Sequence, residues 1–149
     1  RHFGGEDAAI LGKVVSVDKH GSVYAAGEFN GTIYFTQDRR PVRMTKEESD
    51  DAPKMNWMDP ADIYVAKLTA KGEMAYIAPK KPYVQRIGGR DAGMAVNGIA
   101  AAANGDVVVT GGYGGWADFN PGSGTYNRHT SDEKREMDAW WVCLSGGAK

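Results

Sequence analysis

The chain has 149 residues, 42% hydrophobic and 25% charged, with a net charge of −1. That balance belongs to a globular chain, with no general attraction for nucleic acid or an anionic membrane surface. No apolar run approaches the roughly 20 residues of a spanning helix, so membrane insertion is not expected. The single cysteine, Cys143, cannot form an intrachain disulfide. The chain starts at Arg1 with neither a Met nor a signal peptide, so a processed product or a portion of a longer one is expected.

Short β-elements are predicted in chain order. Arg1-His2-Phe3 reads as the tail of a strand that leads into Gly4-Gly5. Val14 to Asp18 and Ser22 to Phe29 are β-rich runs around a compact turn, Lys19-His20-Gly21. A long charged loop, residues 36–61, precedes a third strand, Asp62 to Leu68. The fourth is Tyr83 to Ile87, paired with or preceded by Met74 to Ile77, and it leads into Gly88-Gly89. Ile99 to Ala102 and Asp106 to Tyr113 then flank Ala103-Asn104-Gly105, and Asn-Gly is a strong hairpin signal. Asp138 to Leu144 is the last strand.

These elements repeat. Residues 4–35 align with 88–119 without a gap at an offset of 84, and nine positions are identical: Gly4, Gly5, Asp7, Ala8, Gly21, Val23, Gly27, Gly31 and Phe35. The alanine-rich stretch before Asn104 would read as helix by propensity alone. Its alignment with the β-branched run Val14 to Asp18 overrules that. Asp62-Ile-Tyr-Val-Ala-Lys-Leu68 matches Asp138-Ala-Trp-Trp-Val-Cys-Leu144 at an offset of 76, so the first loop carries an eight-residue insertion. Four short antiparallel strands per repeat describe a β-propeller blade. The expected fold is all-β: one complete blade plus most of a second, as part of a larger propeller. Residues 1–5 would end a preceding blade's last strand. Residues 6–87 would form a blade with inserted loop 36–61, and 88–149 a blade lacking its last strand. A continuous β-sandwich is the alternative, disfavoured because sandwich strands do not recur with matched turns.

Tyr83, Arg86, Gly88, Gly89, Asp91 and Ala92, followed by Gly98, Ile99, Ala100, Asn104, Gly105, Val107, Val109, Thr110, Gly111, Tyr113 and Gly115, carry a recognisable pattern. With Asp118 to Tyr126 (DFNPGSGTY) and Asp62 to Leu68 (DIYVAKL), it resembles the bacterial SBBP-type beta-propeller repeat family. The chain departs from that pattern at Trp116, Ala102 and Cys143, where the family has Thr, Asp and Lys. The resemblance implies a bacterial protein that is extracellular or on the cell surface, or periplasmic. An incomplete ring leaves bare edges and an uncovered sheet face. Other blades of the same chain, or another protein subunit, would cover them.

Candidate chemistry is sparse. Asp118 and Asn120 have the alternate spacing of calcium ligands, but the twelfth position of such a loop is His129 rather than Glu, and a Pro-Gly turn explains them as well. No cofactor is expected. Glu47, Glu48, Asp50 and Asp51 lie near Arg39, Arg40 and Arg43 in a solvated loop, which suits docking better than acid–base catalysis. Gly21, Asn104 and Gly105 are structural turn residues. Asp62 and Asp138, at equivalent positions, are expected to cap backbone N–H groups, as are Asp7 and Asp91. Cys143 is expected to be a small packed side chain. Trp140 and Trp141 must face opposite ways in a strand, so at least one is core. Trp57 and Trp116, in loops, are contact candidates together with Arg39, Arg40 and Arg43.

The expected function is therefore a non-catalytic structural or protein-binding scaffold, not an enzyme. A carbohydrate-binding module using Trp57 and Trp116 is one alternative. The other is the non-catalytic part of a propeller enzyme, whose channel would be lined by first strands such as Ile99 to Ala102, which carry no functional group.

Overall fold

The computed structural model describes residues 4–5, 8–35, 42–45, 61–78, 81–89, 92–130 and 137–146. The described residues form no helix. Their strands are β1 (Ala9–Val17), β2 (Val23–Asn30), β3 (Thr32–Phe35), β4 (Val42–Thr45), β5 (Asp62–Leu68), β6 (Tyr76–Ala78), β7 (Lys81–Pro82), β8 (Val84–Ile87), β9 (Ala92–Ala101), β10 (Val107–Asp118), β11 (Asn127–His129) and β12 (Asp138–Leu144). The first sheet runs β1-β2-β5-β8, every neighbour antiparallel. In the second, β10 pairs with β9 and β12 in one stretch and with β11 in its C-terminal extension. Two small hairpins, β3-β4 and β6-β7, stand beside them. The chain is all-β and built of antiparallel four-stranded sheets.

The sequence repeat is also a repeat of backbone shape. In the first hairpin Asp18 N–H donates to Ser22 O and Gly21 N–H to Asp18 O; 84 residues on, Ala102 donates to Asp106 and Gly105 to Ala102. Gly21 (φ 80°) and Gly105 (φ 88°) occupy the left-handed turn position that excludes most side chains. β1 bulges at Lys13 and β9 at Asn97, again 84 apart. The bulge explains a glycine that propensity does not. A Cβ at Gly27 would lie 2.0 Å from Leu11 O, and one at Gly111 would lie 1.8 Å from Ala95 O, so each bulged strand presses a carbonyl onto its neighbour.

The two sheets pack face to face. Tyr24, Ala26, Ile63 and Val65 of the first share one buried cluster with Met94, Val96, Val107, Val109, Trp140 and Leu144 of the second. Polar links stitch the same interface. Tyr24 hydroxyl donates to Gly105 O at 2.6 Å, Ala101 N–H to Ser16 Oγ at 3.0 Å, and Val96 N–H to Glu28 Oε1 at 3.3 Å. Lys67 Nζ reaches Gly146 O at 3.2 Å and lies over the Tyr24 ring. On the far side of the first sheet, Phe29, Ile33, Phe35, Tyr64, Ala66 and Met74 form a second cluster. Its Phe35–Tyr64 ring pair is the counterpart of Phe119–Trp140 in the second sheet.

Two outcomes follow for stability. Gly111→Ala should cost about 3 kcal/mol by forcing a methyl onto Ala95 O. Gly72→Ala has positive φ but open space around its Cβ, and should cost about 1 kcal/mol. Urea midpoints of the two variants test that order. The Asp18 carboxylate accepts N–H bonds from His20 at 2.8 Å and Ser22 at 2.9 Å. Burial pushes its pKa up, but those backbone bonds outweigh it and hold it below the usual carboxylate value. A depressed folded-state pKa stabilises the fold above the unfolded value near 4 and is lost as pH falls through the folded one. Asp18→Ala should therefore cost about 1–2 kcal/mol at pH 7, a gap that narrows below about pH 4 in urea titrations.

Candidate functional site

The carboxylates marked out by the repeat divide into two kinds. Asp62 opens β5 fully buried; its Oδ2 receives Arg86 Nε at 2.5 Å and its Oδ1 receives Gly89 N–H at 3.1 Å. Arg86 arrives from β8, so the fourth strand supplies the counter-charge. Gly88, at φ 149°, lies so close that a Cβ there would meet Asp62 Oδ1 at 2.0 Å. Strand, arginine and paired glycines together wrap one carboxylate. Asp138 holds the same place at the head of β12, but it is exposed. The Tyr113 hydroxyl bonds to it; burial first, then the Asp138 charge, pushes that hydroxyl's pKa up. Among the described residues Lys13 pairs with Glu28 and Arg86 with Asp62, and neither pair involves Asp138.

The difference follows from strand count. β5 has β2 on one edge and β8 on the other, whereas β12 pairs only with β10 among the described residues. Beside the open edge lies a groove of about 530 Å³, lined by Ile77 and Gln85 from the first sheet side and by Phe119, Val142 and Leu144 from the second.

The aromatic residues separate as their register dictates. Trp140 is buried, and its indole N–H donates to Gly112 O at 3.0 Å; Trp141 is 74% exposed on the opposite face. Cys143 is also exposed, which corrects the expectation of a packed thiol. It lies two residues from Trp141, so the pleat puts both on the outer face, and Val142 and Leu144 turn inward. Trp116 is 55% exposed, with one ring face against His129 at 4.3 Å between centroids.

Asp118 Oδ1 accepts N–H bonds from Asn120 and Tyr126, both at 2.8 Å, and Asn120 Oδ1 accepts one from Gly122 at 2.8 Å. Both oxygens therefore serve the loop's own backbone. Asn104 bonds to Asp106 through side chain and backbone in the Gly105 turn. Among the described residues one buried side-chain polar atom, the Tyr83 hydroxyl, has no partner. Arg43 belongs to β4. Arg39, Arg40, Trp57, Asp7, Asp91 and the acidic run 47–51 lie outside the described residues.

Two features carry more than the sequence reading assigned them. Arg86 was visible only as part of a pattern, and its role needed the pairing of β5 with β8. The outer face of Val108, Thr110 and Trp141 could have been found by carrying the buried residues Tyr24, Ala26 and Val65 forward through the repeat. Comparison with family models, with curated proteins and with solved structures returns no match.

The two aspartates differ in what their loss should do. Asp62→Ala strands Arg86 and the Gly89 N–H and should cost about 3 kcal/mol. Asp138→Ala should cost about 1 kcal/mol, the loss of the Tyr113 hydroxyl's bond to an exposed carboxylate. Chemical denaturation of both variants checks the contrast.

Proposed function

We propose that the chain is a stretch of a β-propeller-type array, two successive sheets of a non-catalytic scaffold whose open face binds another folded protein unit. By its family resemblance, the setting is extracellular or on a bacterial cell surface. One observation carries the reading. The face that the first sheet buries against the second (Tyr24, Ala26, Ile63, Val65) maps through the repeat onto Val108, Thr110, Ala139 and Trp141, all of them exposed. Val65 is fully buried where Trp141 stands 74% exposed. The surface that docks in the first sheet is therefore presented and uncovered in the second.

The converse supports it. Val15 and Val17 are exposed on the first sheet, and their counterparts Ile99 and Ala101 pack on the shared cluster from the second sheet's strand facing the first. Exposed apolar side chains gathered on a sheet face mark an interaction surface. The scaffold reading also suits the polar groups: Asp18, Asp62, Asp118 and Asn120 each accept backbone N–H bonds that hold a turn or strand end.

If the open face is a docking surface, the isolated chain should associate in a concentration-dependent way between about 1 and 100 μM. Trp141→Lys should abolish that association without loss of fold, because Trp141 touches solvent rather than core. Sedimentation velocity with circular dichroism measures both. A wild type that stays monomeric over the whole range, indistinguishable from the variant, would sink the reading.

A further inference from the structure

We infer that β12 is a strand acceptor: an extended segment with an arginine on its groove-facing side adds antiparallel to its open edge and pairs that arginine with Asp138. The inference rests on the array reading and deepens it by giving the chemistry of one partner element. Its pattern is the one β8 carries, aromatic-x-x-Arg-apolar-Gly-Gly, as Tyr83, Arg86, Ile87, Gly88 and Gly89 stand in this chain.

The first sheet supplies the geometry. There Ile87 lies opposite Ile63, Arg86 opposite Tyr64, Gln85 opposite Val65 and Val84 opposite Ala66, and Lys67 N–H continues the ladder to Tyr83 O at 3.1 Å. Carried through the 76-residue offset, these acceptor positions become Ala139, Trp140, Trp141, Val142 and Cys143. All belong to β12, whose other edge is taken by β10.

Three independent features prepare this edge. Its backbone is unpaired on one side among the described residues, which invites strand addition. The groove adjoins its C-terminal half: Val84 packs beside Tyr64, Ala66 and Leu68 in the first sheet, and of their counterparts Trp140, Val142 and Leu144 the last two line the groove. An incoming valine at that position therefore meets an apolar wall. Finally, Asp138 presents at the strand head the carboxylate that Asp62 presents to Arg86 and Gly89, and it is exposed. An arginine at the matching place would make a charge-assisted bond that fixes the register of the added strand.

The probe is an acetylated, amidated peptide of residues 82–89, titrated into the intact chain, with calorimetry for affinity and amide hydrogen exchange for location. The expected result is saturable binding below about 1 mM with slowed exchange at Ala139 to Cys143. Arg86→Ala in the peptide and Asp138→Asn in the protein should each weaken binding about tenfold, and together no more than either alone. Absence of saturable binding, or equal binding of a scrambled peptide, overturns the inference. So does protection confined to the outer face at Val108 and Trp141, a result that would leave the array reading standing.

Discussion

The apolar seam between the two sheets is the interaction on which the rest of the structure depends. Each sheet is a few short strands, and Tyr24, Ile63 and Val65 of the first and Met94, Val96, Val107 and Val109 of the second, all almost fully buried, meet in the shared cluster. Tyr24 shows how specific the seam is. Its ring packs edge-on against Tyr83, its hydroxyl caps Gly105 O, and Lys67 lies over its face before reaching Gly146. One side chain thus fixes the turn of the second hairpin relative to the first sheet. Positive-φ glycines, bulges and buried carboxylates set the shape of each sheet; the seam sets one sheet against the next.

A packed pair related by a sequence repeat has a consequence that a sandwich of unrelated sheets lacks. The relation that carries the first sheet onto the second also carries the docked face of the first onto the exposed face of the second. Equivalent faces of the two sheets are thus one packed and one exposed. Trp141 and Cys143 stand where the first sheet has Val65 and Lys67, so the exposed face is more apolar than its packed counterpart at the cysteine position.

Much of this was legible in the residues. The 84-residue offset located both hairpins and their turns, because Gly21 and Gly105 are required by backbone shape. It also overruled the helical propensity of the alanine run, which lies in β9 and in the turn after it. Strand ends were less legible: β1 begins at Ala9 and β9 at Ala92, well before the β-branched runs, since a bulge rather than a composition change shapes them. The hairpin β3-β4 was not expected from the sequence, and Met74 to Ile77 overlaps β6 in part. The inequality of Asp62 and Asp138 was hidden for a different reason. Equal positions in a repeat share a backbone, but burial depends on which neighbours are present, and among the described residues a fourth strand lies beside the first alone. Cys143 misled because alternation gives two faces and does not say which one is covered.

The claim that the seam makes one cooperative unit of both sheets is tested most directly by native-state hydrogen exchange as a function of denaturant. The account predicts that the slowest amides of β2 and β5 in one sheet and of β9 and β10 in the other converge on a single opening free energy. Two separate values, with either sheet opening while the other stays protected, would contradict it.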